Sequence, residues 1–240
     1  MTCRNFFKET VKLVIGNGEN KVELVVPKDR LCQVSEFFAA ACSDRWASGR
    51  DGVIKLEEED PKIFGLFLAW VFDGSIENSE DYIPLEYTDN ESKKECLTNI
   101  QSQLVKCFLL GQQLLSPDFK NAAIDLINAN CKLGLQISCA VLRIYANTTT
   151  GSPLRRLVVD TIIAKASSFR PRLTPTESYE THKYFEEYWL ESLSSFRHHA
   201  KRGTRVKACY DRDRCEYHEH PGKPDGYSCT KEYGFSKWLV

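Results

Sequence analysis

Residues 22–38, VELVVPKDRLCQVSEFF, change their apolar period halfway along. Val22 to Val26 reads as a strand, and Pro27 closes it because proline has no N–H to give a sheet ladder. Leu31, Val34, Phe37, Phe38 and Ala41 then recur at the spacing of one helix face, so a short helix follows. On the N-terminal side, Val11, Leu13 and Ile15 alternate with Lys12 and Val14 and run into Gly16-Asn17-Gly18, a turn signal. The strand at 22–26 is therefore the second arm of a hairpin.

Further along, Val53 to Leu56 reads as a third brief strand. Asp60-Pro61 supplies an N-cap side chain and a proline at the first helical position. Ile63, Phe64, Phe67, Leu68 and Val71 make the apolar face of the helix that follows, which stops near Gly74, and Ile76 is expected to open a fourth strand. Residues 77–95, acidic and polar, read as an exposed loop. Two patterned helices come next, with Leu97, Ile100, Leu104, Cys107, Phe108, Gly111 and Leu115 on one face, then Phe119, Ala122, Ala123, Leu126 and Ile127. Ile137, Val141, Leu142 and Tyr145 suggest a further helix, and Ser152-Pro153 opens another. Residues 170–175 form a break before an aromatic stripe of Tyr184, Phe185, Tyr188, Trp189, Leu193 and Phe196. Core packing is the simple reading of that stripe, and a partner groove the sharper one. The pattern is α+β.

The 240 residues are 42% hydrophobic, 27% charged and 11% aromatic, which excludes disorder along the whole length. No stretch of eighteen apolar residues occurs, and Lys8 and Glu9 stand where a signal peptide would be apolar, so an intracellular protein is expected, cytoplasmic or nuclear, with no membrane partner. The ten cysteines are then expected as thiols. Seven, from Cys3 to Cys139, sit mostly among apolar neighbours and read as small core hydrophobes. The net charge of −1 divides into −6 over residues 1–120 and +5 over 121–240.

Residues 25–38 resemble the signature of the BTB/POZ domain, in which a strand leads to a leucine, a serine four positions later and an aromatic pair; Leu31, Ser35 and Phe38 hold those positions, the serine suited to cap the helix and the aromatics to pin it beneath the sheet. Residues 54–74, with Phe64, Phe67, Leu68, Trp70, Phe72 and Gly74, look like the family's second signature, and residues 106–127 are similar to its closing helical pair. Residues 147–160, NTTTGSPLRRLVVD, further resemble the tail of BTB proteins abundant in filamentous fungi. The resemblance implies a BTB/POZ domain over residues 9–130, a small β-sheet with a cluster of α-helices; the residue pattern adds a helical extension over 131–197 and a basic Cys/His-rich tail over 198–240. It also implies a non-catalytic protein-interaction module, an adaptor that in many relatives recruits a cullin-type ubiquitin ligase. Many animal relatives carry a histidine where this chain has Pro27, and many begin with an element swapped between subunits. Ten residues before Val11 are too few for that element in full, which argues against homodimerisation by that route.

Chemistry concentrates in the tail. Gly16-Asn17-Gly18 lacks the third glycine and following helix of a dinucleotide fingerprint. Glu57 to Asp60 reads as a solvated N-terminal cap rather than a cation site. Cys209, Cys215, His218, His220 and Cys229, however, offer thiolate and imidazole, the ligands zinc prefers, and four of them would close a structural tetrahedral site. The spacing matches no standard finger, and an unliganded loop is the competing reading. Seven Lys and Arg between Arg197 and Arg214 read as a solvated linker, with a nuclear-import or nucleic-acid patch as the alternative. Two other function classes stay open: a nuclear regulator whose tail binds nucleic acid, and a metal-dependent enzyme built on His218 and His220.

Overall fold

The hairpin forms where Gly16 and Gly18 adopt positive φ (73° and 56°). β1 (Thr10–Ile15) pairs antiparallel with β2 (Val22–Pro27), Val11 opposite Val26 and Ile15 opposite Val22. A Cβ at Gly16 would meet Pro61 Cγ at 2.8 Å, so this glycine serves the packing as well as the turn. β3 (Val53–Leu56) joins the other side of β1 in parallel, giving the order β2-β1-β3. This computed structural model describes residues 9–45, 51–76, 90–132, 140–164, 179–202, 207–223 and 227. Among them the architecture is mixed α+β, mostly helical, with one small three-stranded sheet. Ile76 is buried but joins no strand, so the expected fourth strand is absent from the described residues.

The helix expected after β2 is two helices, α1 (Lys28–Val34) and α2 (Glu36–Ala41). Ser35 divides them because it sits in extended backbone, where its Oγ accepts the Phe38 N–H at 3.1 Å. The same hydroxyl donates to the Leu114 carbonyl at 2.5 Å. α3 (Pro61–Asp73) starts as expected, with Asp60 Oδ1 accepting the Lys62 N–H at 3.0 Å, and ends at a left-handed Gly74. α4 (Asn90–Gln113) begins inside the stretch expected to be loop, so residues 90–95 are helical; the rest of that loop lies outside the described residues. α5 (Pro117–Lys132), α6 (Val141–Asn147), α7 (Pro153–Ala164) and α8 (Tyr179–Arg202) complete the helices. Helix α8 runs through position 198, and the expected break at 170–175 lies outside the described residues.

The chain divides into two compact units, Met1–Thr88 with Lys106–Ala123, and Asp89–Val105 with Ile124–Val240. In the first, Leu13, Leu31, Phe38, Phe64, Phe67, Phe108 and Phe119 are buried. Phe67 stacks with Phe38 at 6.2 Å and meets Phe119 edge-on at 5.0 Å. Each such ring pair adds about 0.5–1.5 kcal/mol to the area it buries. Gly111 brings α4 and α5 together, since a Cβ there would lie 2.8 Å from Lys120 Cγ and 3.1 Å from Phe119 Cδ1.

In the second unit α6, α7 and α8 pack around Ile144, Tyr145, Leu154, Leu157, Val158 and Tyr188. The aromatic stripe of α8 divides: Tyr188 is buried against Tyr145, whereas Leu193 and Phe196 stand exposed, as does Leu190 outside the stripe. Arg155, 3% exposed, donates to the carbonyls of Tyr145 and Thr148, to Thr148 Oγ1, and to Glu187 and Glu191, with its guanidinium 4.2 Å from the Tyr145 ring centre. It closes the C-terminus of α6, where helix carbonyls have no partner of their own.

Candidate metal centre

Short turns shape the described part of the tail. Two 3₁₀ turns, Cys209–Asp211 and Arg214–Glu216, follow one another. Asp213 Oδ1 caps the second by accepting the Cys215 N–H at 2.9 Å. The His218 N–H then reaches the Cys215 carbonyl at 3.3 Å, so the Cys-x2-His spacing closes as one turn. His220 follows two residues later, its ring 5.7 Å from that of His218.

Cys215 Sγ and one ring nitrogen from each of His218 and His220 consequently lie within 4.8 Å of one another. Among the described residues this is the group able to hold a metal ion. Cys209 is not in it: the residue is fully buried at the start of its turn against α7, with Sγ 3.1 Å from Thr161 Oγ1. Its thiol packs as a small hydrophobe, which is why close spacing in sequence did not make it a ligand of this cluster. Cys229 lies outside the described residues.

Carboxylates of the second unit seat the tail. Asp160 on α7 accepts the Tyr217 hydroxyl at 2.8 Å and pairs with Arg212 at 3.3 Å. Burial holds the Asp160 carboxyl above its ordinary range, against the pull of Tyr217 and Arg212. Burial first, and then Asp160, push the Tyr217 phenol upward, so it remains a donor. Asp125 on α5 places Oδ1 2.9 Å from His218 Nε2 and Oδ2 3.5 Å from Arg214. Arg212 and Arg214 thus face carboxylates, a departure from the solvated linker expected of this basic stretch. Asp125 and Asp160 were not legible as site residues, since each is one polar position on an amphipathic helix until the tail folds back.

Of the cysteines expected as core, Cys107 and Cys131 are buried, Cys32 and Cys42 are half-buried, and Cys3 and Cys139 lie outside the described residues. Burial pushes Cys107 up to about 12, and burial together with neighbouring Cys32 pushes Cys42 up to about 11, so neither is a reactive thiolate. Asp60 caps α3 and pairs with Lys106 at 3.1 Å, the cap reading of the acidic run. Among the described residues no helix is long and apolar enough to cross a membrane. Searches of protein-family models, curated proteins and solved structures find no match to the chain.

Proposed function

We propose that the chain is a non-catalytic protein-interaction module of BTB/POZ type that serves as an adaptor, with a cullin scaffold as one partner. One observation carries the reading: residues from the three segments that resemble the family meet inside the first unit. Ser35 joins the first to the third through the Leu114 carbonyl, Phe38 meets Phe64 and Phe67 of the second, and Phe67 meets Phe119 of the third. Leu31 and Phe38 are fully buried and Ser35 is 2% exposed, as a joint holding two helices under a sheet requires. The second unit would grip the client, and the exposed Leu190, Leu193 and Phe196 of α8 support that role. The test is retention of purified cullin scaffolds on the immobilised full chain. Retention is expected, and its absence across the scaffolds removes the ligase-adaptor role.

The clustered donor atoms of Cys215, His218 and His220 favour a second reading, confined to the tail: a zinc ion with a structural role. Elemental analysis of protein expressed with zinc available should find one zinc per chain. Metal-free protein from that preparation would refute it.

A further inference from the structure

We infer that Asp125 is the positioning residue of a zinc site at Cys215, His218 and His220, and that through it metal binding is linked to the seating of the tail on α5. The inference rests on the zinc reading above and goes beyond it by assigning the ligand atom of His218 and the device that orients it.

Ligand spacing comes first. Ligands bound to tetrahedral Zn²⁺ at about 2.0–2.3 Å stand roughly 3.3–3.7 Å from one another. The three donor atoms here lie within 4.8 Å of one another, so a contraction of roughly 1 Å, within reach of side-chain rotation, closes them on an ion. One sulfur and two imidazole nitrogens suit zinc, and a closed structural site takes one further donor at the fourth tetrahedral position.

His218 decides the rest. Its Nε2 faces Asp125 Oδ1 at 2.9 Å, so the nitrogen it turns to the metal is Nδ1. A carboxylate that accepts the Nε2–H holds the ring in the tautomer with its lone pair on Nδ1 and makes that nitrogen a better donor. Arg214, 3.5 Å from the other Asp125 oxygen, helps keep the carboxylate in place. His218 is itself buried at 8% exposure, which limits the ring's freedom to turn away.

The three ligands occupy six residues of the tail, whereas Asp125 stands 93 residues before His218. The tail therefore contains the metal ligands, but the group that aims one of them belongs to a helix. Linkage makes the consequence reciprocal: whatever factor docking adds to zinc affinity, zinc adds to docking. Loss of an orienting carboxylate of this kind lowers metal affinity about 10–100-fold.

The experiment uses the full chain, stripped by a chelator and titrated with Zn²⁺ against a chromophoric competitor. Wild type should bind one equivalent, and Asp125→Asn should bind about 10–100-fold more weakly. Amide hydrogen exchange over residues 207–223 should slow on adding zinc in wild type, and slow much less in Asp125→Asn. A wild-type chain that binds no zinc overturns both the zinc reading and this inference. One equivalent bound with equal affinity by wild type and Asp125→Asn overturns the inference alone. Because the variant could misfold, long-range ¹H–¹⁵N spectra of the imidazoles in zinc-loaded wild type supply an independent test: metal on Nδ1 of His218 is expected, and metal on Nε2 overturns it.

Discussion

Replacing Arg155 with methionine isolates the contribution of one buried cation to the second unit. The substitution keeps an unbranched stem and removes every donor. The guanidinium gives Nε to Thr148 Oγ1 at 3.0 Å, Nη2 to the Tyr145 carbonyl at 2.9 Å and the Thr148 carbonyl at 2.5 Å, and Nη1 to Glu187 and Glu191 at 3.1 and 3.4 Å. The two backbone carbonyls decide the magnitude. They end α6 in the interior, and a buried acceptor left without a donor costs about 1–3 kcal/mol. The glutamates contribute less, because their side chains remain 37% and 28% exposed and water can replace the lost partner. A total of about 4 kcal/mol follows, within the range for breaking a buried ion pair from one side. For a unit of this size that corresponds to a fall in Tm of roughly 10–15 °C. Urea unfolding should be followed by hydrogen exchange of amides in 141–164, so that the second unit is read separately from the first. Arg155→Lys should recover less than half of the loss, since one ammonium cannot span Tyr145, Thr148 and Glu187 together. A loss under about 1 kcal/mol in Arg155→Met would refute the capping role.

Three further outcomes are expected. Ser35→Ala removes both the cap of α2 and the bond to the Leu114 carbonyl, and should cost about 2 kcal/mol in chemical unfolding. Gln101 is fully buried and its amide has no hydrogen-bond partner among the described residues, so Gln101→Met should raise stability by about 1 kcal/mol in the same measurement. A decrease there would mean that the amide is satisfied. Burial pushes the Asp60 carboxyl up, but Lys106 and the backbone N–H of Lys62 win and hold it below its ordinary 3.8. A folded value below the unfolded one means that the stabilisation is complete well above 3.8 and vanishes as pH falls through the folded value. Asp60→Asn, which keeps a capping side chain, should therefore be less stable than wild type at neutral pH and converge with it in acid. A gap that persists unchanged at low pH would assign the effect to something other than ionisation.

Local chemistry made much of the first unit legible. Gly16-Asn17-Gly18 signals a hairpin because positive φ is available to glycine, and Asp60-Pro61 signals a helix start because a side-chain cap and a preset φ act within three residues. Ser35 shows where such reasoning stops: its cap is local and readable, whereas the helix break it makes and its second bond are not. Helical periodicity runs unbroken from Leu31 to Ala41, yet the hydroxyl finds the Phe38 N–H and the Leu114 carbonyl, and the backbone breaks there into two helices. Leu114 is 79 residues away, beyond any window of periodicity.

The tail divides in the same way. Composition alone showed which chemistry was present: cysteine and histidine within a short, charged stretch, with a metal site and an unliganded loop as the competing readings. Which residues converge was a tertiary outcome. Cys209 packs against α7, Cys215, His218 and His220 turn toward one another, and Asp125 and Asp160, each far off along the chain, receive His218 and Tyr217. The physical reason is range. Caps, turns and amphipathic faces are settled by neighbours within a few positions, whereas the aim of an imidazole depends on the carboxylate it meets once helices have packed.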